Sequence, residues 1–61
     1  MNPVKKLRET ANLTQAEMAE KLSEKQQSIS RYENGNSNIT LMKYLKWCSV
    51  LGVTDFNKLF K

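Results

Sequence analysis

Apolar residues recur at helical spacing along most of the chain. No stretch of useful length alternates between apolar and polar residues, the pattern that is typical of a β-strand. The first stretch predicts a helix over Pro3–Thr10, with Val4, Leu7 and Ala11 facing inward. Asn2 is a favourable N-cap residue, and a proline at the first helical position loses no hydrogen bond, because that N–H has no partner within the helix.

A second helix is predicted over Gln15–Leu22, and its start carries a capping-box pattern. Thr14 is a good N-cap residue, and Glu17 three residues later can bond back to the N-cap backbone. The inward positions of this helix are Met18, Ala19 and Leu22.

The third helix has two possible starts. Ser23 and Gln26 also form a capping-box pattern, which opens the helix at Glu24, whereas a start at Gln26 leaves a short polar turn before it. In both cases Gly35 is placed to take the left-handed conformation that ends a helix. The apolar positions of this helix are Ile29 and Tyr32.

The fourth helix is predicted over Leu41–Leu51, between an N-cap at Thr40 and a terminating Gly52. Trp47 lies at the edge of its apolar stripe. The stripe consists of Leu41, Tyr44, Leu45, Cys48 and Leu51.

A last short helix is predicted after Thr54, and it contains Phe56, Leu59 and Phe60. The predicted fold is therefore all-α, a single compact domain of five helices over residues 1–61. A domain of this size buries only about 60% of the surface that its unfolded chain exposes, so it lacks room for both a core and a deep catalytic cleft.

The chain is basic, with a net charge of +4 and a pI near 9.5. This balance favours a polyanionic partner such as nucleic acid, although a basic surface on a small protein can equally serve solubility. No apolar run approaches the roughly 20 residues that span a bilayer, and no signal region follows Met1. We expect no membrane contact and a reducing, cytoplasmic location.

The residue types that catalysis and metal binding require are missing. The sequence has no histidine and a single cysteine, so zinc lacks ligands, and it shows no glycine-rich phosphate loop. Cys48 cannot form an internal disulfide and falls on an apolar stripe, which predicts a core residue. We expect no enzyme activity, no cofactor, no metal and no small-molecule substrate.

The outward face of the third helix carries amides, hydroxyls and one arginine instead of mixed charges. At about 100° per residue, these side chains lie opposite Ile29 and Tyr32. Glutamine pairs with adenine and arginine with guanine in the major groove of DNA, whereas the competing interpretation is that these residues are only solvated. The predicted base-contacting residues are Gln26, Gln27 and Arg31, followed by Ser28 and Ser30.

Four segments carry a specific resemblance: residues 14–19 (TQAEMA), 26–29 (QQSI), 32–35 (YENG) and 51–53 (LGV). In order and spacing they resemble the Cro/cI-type, XRE-like helix-turn-helix family, typified by lambdoid phage repressors and Cro proteins. The resemblance covers about residues 3–60 and implies a lambda-repressor-like domain of a phage or bacterium that acts on double-stranded DNA in the cytosol or nucleoid.

The resemblance implies a helix-turn-helix over about residues 15–34, with the recognition helix opening at Gln26. Ala19 would be the small residue where the two helices cross. Ser23 stands where the family often has glycine, because that turn residue tends to be left-handed, at a cost on the order of 1 kcal/mol for other residues. Glu24 is more polar than many family members at its position, so we expect it to be exposed.

Contacts with the DNA phosphates hold a protein of this type in place on DNA, but they do not distinguish one base sequence from another. Gln15 lies at the positive N-terminal end of the second helix, and Lys25 at the mouth of the third. The family resemblance adds the polar loop after the recognition helix and the start of the fourth helix, although a loop can also be polar because it is exposed. These residues are Asn34, Asn36, Ser37, Asn38 and Lys43.

The resemblance also implies that Arg8 and Glu33 form a partly buried ion pair that holds the recognition helix at its angle; the alternative is two ordinary surface charges. One recognition helix reads few base pairs, so proteins of this type usually bind as dimers. We expect a homodimer on DNA that is weak or monomeric in free solution. Its predicted interface residues are Phe56 and Phe60 with Trp47, Met42 or Val50 beside them, unless both phenylalanines fold back on the core.

The leading hypothesis is a Cro-like repressor that binds a near-palindromic operator, and the brevity of the chain resembles Cro proteins more than full-length repressors. The alternative is an antitoxin-like interaction module that also binds DNA. A third hypothesis, a non-specific basic nucleic-acid binder, predicts an affinity set by salt alone.

Overall fold

The computed structural model describes residues 2–55, and this part of the chain forms four α-helices and no strand. The helices are α1 (Pro3–Thr10), α2 (Gln15–Leu22), α3 (Gln26–Glu33) and α4 (Leu41–Leu51). The predicted all-α fold is confirmed for these residues. The predicted count of five helices is not supported, and the fifth helix, with Phe56, Leu59 and Phe60, lies outside the described residues.

Three of the four described helices begin at the caps that the sequence predicts. The side chains of Asn2, Thr14 and Thr40 each accept a hydrogen bond from backbone N–H groups in the first turn of α1, α2 and α4. The capping box of α2 is complete, since the Thr14 N–H also donates to Glu17 Oε1 at 2.9 Å. These bonds from Thr14 hold the pKa of Glu17 below its ordinary value.

Each of the four described helices ends at a left-handed residue: Asn12, Ser23, Gly35 and Gly52. In each case the residue that follows the left-handed one donates its backbone N–H to the carbonyl oxygen of the residue five positions before it, at 2.8–3.1 Å. This is the Schellman arrangement. Ser23, with φ +56°, adopts the conformation that the resemblance implies for its turn, without being a glycine. The left-handed Asn12 was not predicted.

The core lies where the four helices meet. Helix α3 packs on α1 and α2, and α4 packs on α2. The Tyr44 hydroxyl donates to the Pro3 carbonyl at 3.2 Å and joins α4 to the start of α1. The buried residues are Val4, Leu7, Met18, Ala19, Ile29, Tyr44, Trp47, Cys48 and Val53.

Helix α4 is rotated relative to the predicted stripe. Leu41 and Leu45 are 70% and 41% exposed, whereas Trp47 is 3% exposed and packs edge-on against Tyr32 at 5.5 Å between ring centroids. Apolar residues occur on several sides of α4, so spacing alone permits more than one register. The observed register buries the largest side chain, which removes the most apolar surface from water.

Burial also corrects the role predicted for Trp47. Because this side chain is almost fully enclosed by its own domain, it has little surface left to contribute to a dimer interface. None of the helices in the described part of the chain is long and apolar enough to cross a membrane.

Candidate functional site

The polar face of α3 points away from the core. Gln26, Gln27 and Arg31 are exposed, and Ile29 on the opposite side is completely buried. Ser28 and Ser30 are half-buried beside this face. The three side chains predicted as the main base-contacting residues therefore share one accessible surface, which we call the α3 face.

The N-terminal end of helix α3 lies on the same surface. It begins at Gln26, after an extended Lys25, so the later of the two predicted starts is correct. Among the described residues, no side chain caps this end of the helix, unlike the starts of α1, α2 and α4. No described side chain therefore accepts from the first backbone N–H groups, and the helix dipole at this end favours an anion.

The far end of α3 is held by an ion pair with α1. Arg8 Nε and Nη2 donate to Glu33 Oε2 and Oε1 at 2.7 and 3.2 Å, and Arg8 Nη1 donates to the Leu13 carbonyl at 3.0 Å. The carboxylate of Glu33 is 5% exposed and the side chain of Arg8 is 18% exposed. The hydrogen bond to Glu33 raises the pKa of Arg8 above its ordinary value. The pair that the resemblance implies is present, and it is partly buried.

Gln15 belongs to the same network. Its side-chain amide donates to Glu33 Oε1 at 3.2 Å, so the carboxylate accepts bonds from both α1 and α2. This bond uses one of the two amide hydrogens of Gln15 and fixes the side chain at the N-terminal end of α2. Helices α2 and α3 are thereby linked at a buried charge.

Asn2 has a second role that sequence inspection missed. Its Oδ1 caps α1, while its Nδ2 donates to the backbone carbonyls of Tyr32 and Glu33 at 2.9 and 2.6 Å. The same amide thus satisfies the start of α1 and the end of α3. The N-cap pattern in the sequence predicts the contact with α1. The contacts with the Tyr32 and Glu33 carbonyls span 30 and 31 positions of the chain, so no local pattern predicts them.

The loop after α3 is mostly open to solvent. Asn34, Asn36 and Asn38 are exposed, and Ser37 is half-buried. Asn34 Nδ2 donates to Ser30 Oγ at 3.3 Å and continues the polar surface of α3 into the loop. With Lys25, these residues frame both ends of the α3 face.

Lys43, predicted as a phosphate contact, has partners within the domain. Its Nζ donates to the Tyr32 hydroxyl at 3.2 Å and lies 3.7 Å from Glu24 Oε2. It is also 5.5 Å from the centre of the Trp47 ring. The bond to Tyr32 raises the pKa of Lys43. Glu24, expected to be exposed, is instead half-buried, and it forms this ion pair.

The arrangement offers hydrogen-bond donors and acceptors on a convex helix surface. Cys48 is buried, and its desolvation raises the pKa of the thiol, which agrees with the predicted core role. Among residues 2–55, no group of three or more histidine, cysteine, aspartate or glutamate side chains could hold a metal ion. The convex α3 face, with its hydrogen-bond donors and acceptors, suits the recognition of a polar partner that has a groove.

Comparison with known proteins agrees with this geometry. A family model described as helix-turn-helix matches residues 4–56, which include all four described helices. Searches of curated proteins and of solved structures found no match to the chain.

Proposed function

The chain belongs to the Cro/cI-type (XRE-like) helix-turn-helix family of DNA-binding transcription regulators, and from this premise we propose that it is a sequence-specific repressor. In this proposal α3 lies in the major groove of double-stranded DNA. Two copies bind a near-palindromic operator, with recognition helices about 34 Å apart, and occlude a promoter.

The observation that carries the proposal is the contrast between the two sides of α3. On the inner side, Ile29 is buried and Glu33 is bonded to α1 and α2. On the outer side, Gln26, Gln27 and Arg31 are exposed. A helix fixed at its base with free amides and a guanidinium on its outer face is suited to reading base edges, because a mobile helix would lose the register of each bidentate pair.

Phosphate contacts would position this helix. We assign them to the uncapped start of α3 with Lys25, to the fixed amide of Gln15, and to the loop that follows α3. Ser28 and Ser30 are secondary contacts to a base or a phosphate. The loop residues are Asn34, Asn36, Ser37 and Asn38. Lys43 at the start of α4 is also assigned to phosphate, because its hydrogen bond to the Tyr32 hydroxyl uses one of the three donors of its ammonium group.

Dimerisation is part of the proposal because one helix reads too few base pairs for high affinity. Phe56 and Phe60, the predicted interface residues, lie outside the described residues. We propose that they form the contact between copies on DNA, while the free protein remains weakly associated or monomeric.

Selection of bound sites from a random duplex pool tests the proposal. We expect enrichment of a near-palindrome whose half-sites are about one helical turn apart. A matched selection with Gln26→Ala, Gln27→Ala and Arg31→Ala combined should lose the consensus and retain weak, salt-dependent binding. If the unaltered chain enriches no sequence, sequence-specific reading is ruled out.

A further inference from the structure

A groove of about 660 Å³ runs between the C-terminal end of α2 and one side of α4. Leu22 lines it from α2, and Met42 and Val50 line it from α4, with the almost fully buried Trp47 beside them. Lys43 is the one groove-lining residue that is also assigned to phosphate, and none of the residues assigned to bases lines the groove. The groove is therefore a second surface, separate from the α3 face.

The groove exposes apolar side chains in a helical register. Met42 and Val50 are 78% and 53% exposed, and Lys46 lies midway between them along the same side of α4. At 1.5 Å per residue these positions extend over about 12 Å. A length of this size matches the apolar anchors of a short amphipathic helix that inserts at i, i+4 and i+7.

The charge around the groove is one-sided. Three lysines and one glutamate line it, and Glu24 lies 3.7 Å from Lys43. Among the described residues that line the groove, no acidic side chain remains to balance Lys46, whereas Lys21 interacts with Glu17, which lies one turn earlier on α2 and outside the groove. An apolar floor with a basic rim is complementary to a partner that carries apolar anchors beside carboxylates.

The same features disfavour two other occupants. A second copy that packed this face against itself would bring Lys21 and Lys46 close to their own equivalents, and like charges oppose such symmetric contacts. A DNA phosphate would satisfy the lysines, but it would leave Met42 and Val50 exposed. We propose that the groove binds an acidic amphipathic helix of another protein, which gives this small regulator a protein partner in addition to DNA.

The test is a titration of the full chain followed by Trp47 fluorescence, because the chain contains one tryptophan and it lines the groove. The probe is a synthetic helical peptide of about 14 residues, with leucines at helical spacing, glutamates elsewhere and no aromatic residue. We expect a saturable change in emission. A peptide with lysines in place of the glutamates should bind about tenfold more weakly.

Two substitutions and a matched control complete the test. Lys46→Glu and Val50→Glu should each weaken binding about tenfold, while circular dichroism shows that both variants fold. Lys5→Glu makes the same charge change on an exposed residue of α1 outside the groove, and it should alter affinity by less than about twofold.

Several results would overturn the proposal. Equal binding of the lysine peptide, or equal weakening by Lys5→Glu, would reduce the effect to general electrostatics. Self-association that Lys46→Glu changes would assign the groove to a second copy. A fluorescence change in Phe60→Ser without peptide would assign it to the chain's own C-terminal segment. A loss of random-duplex binding in Lys46→Glu as large as the loss of peptide binding would assign the lysines to phosphate.

Discussion

Arg8 in α1 and Glu33 at the end of α3 form a bidentate pair in which the carboxylate is almost fully removed from solvent. Gln15 adds a third hydrogen bond to the same carboxylate. A buried charge held by groups on two other helices makes the orientation of α3 depend on all three. The position of the α3 face is therefore set by contacts on the opposite side of the helix.

Replacement of Arg8 by methionine should leave Glu33 buried without its charged partner. We expect the free energy of unfolding to fall by about 3 kcal/mol, measured by urea denaturation followed by circular dichroism. The double variant Arg8→Met with Glu33→Leu should recover most of this loss, because removing both charges leaves neither uncompensated. A loss below about 1 kcal/mol in the single variant would show that water or Gln15 compensates the carboxylate.

Ser23→Gly should stabilise the domain. Ser23 is left-handed, and glycine removes that conformational strain while adding some unfolded-state entropy, for a net gain of about 0.5–1 kcal/mol. Thermal denaturation of the two proteins measures the difference.

Gly52→Ser is the converse control for Ser23. A Cβ there meets no atom within 4 Å, so the only penalty is its φ of +72°, and we expect a loss of about 1 kcal/mol. If both variants matched the unaltered protein, conformational strain at these helix ends would be negligible.

Arg31→Ala should cost about 1–3 kcal/mol of binding free energy on a selected site and relax the preference at one base pair. The reason is the loss of a bidentate guanidinium contact that DNA of other sequences does not offer. Fluorescence anisotropy on the selected duplex and on random duplex measures both effects, with Lys5→Ala as a control for loss of one exposed positive charge. Equal losses on both duplexes would mean that Arg31 contacts phosphate.

The raised pKa of the buried Tyr44 phenol predicts that the domain loses stability at high pH. Burial raises its pKa from an ordinary value of 10.0 to about 12. The folded state therefore retains the phenol proton that the unfolded state releases, so the contribution is complete below pH 10 and is lost as the pH rises through 12.

The test compares unfolding curves of the unaltered chain and of Tyr44→Phe between neutral pH and pH 12. At neutral pH the variant should lose about 1 kcal/mol, because it lacks the hydrogen bond to the Pro3 carbonyl. Above pH 10 the difference between the two proteins should shrink or reverse. Parallel pH profiles would show that the phenol does not titrate differently in the folded state.

Local signals in the sequence predicted the helices well. Thr14 with Glu17, and Thr40 with Gly52, mark helix ends through hydrogen bonds within a few residues, and the structure contains them. The α3 face was also predictable, because a helix with Ile29 on one side must turn its amides to the other.

Features that depend on distant contacts were not predictable from spacing. The register of α4 depends on Trp47 meeting Tyr32, and apolar periodicity alone allowed Leu41 and Leu45 to be buried instead. The contacts of Lys43 with Glu24 and the Tyr32 hydroxyl could not be predicted either, because these partners lie in other parts of the chain.

The amide of Asn2 ties the beginning of the chain to the last turn of α3. A label attached next to Asn2 is therefore coupled to the backbone that ends α3. On the proposed function, a bulky affinity tag there would disturb the contacts that orient α3 and bias measurements of DNA affinity. A small fluorophore attached there would instead report changes at the end of α3 when DNA binds.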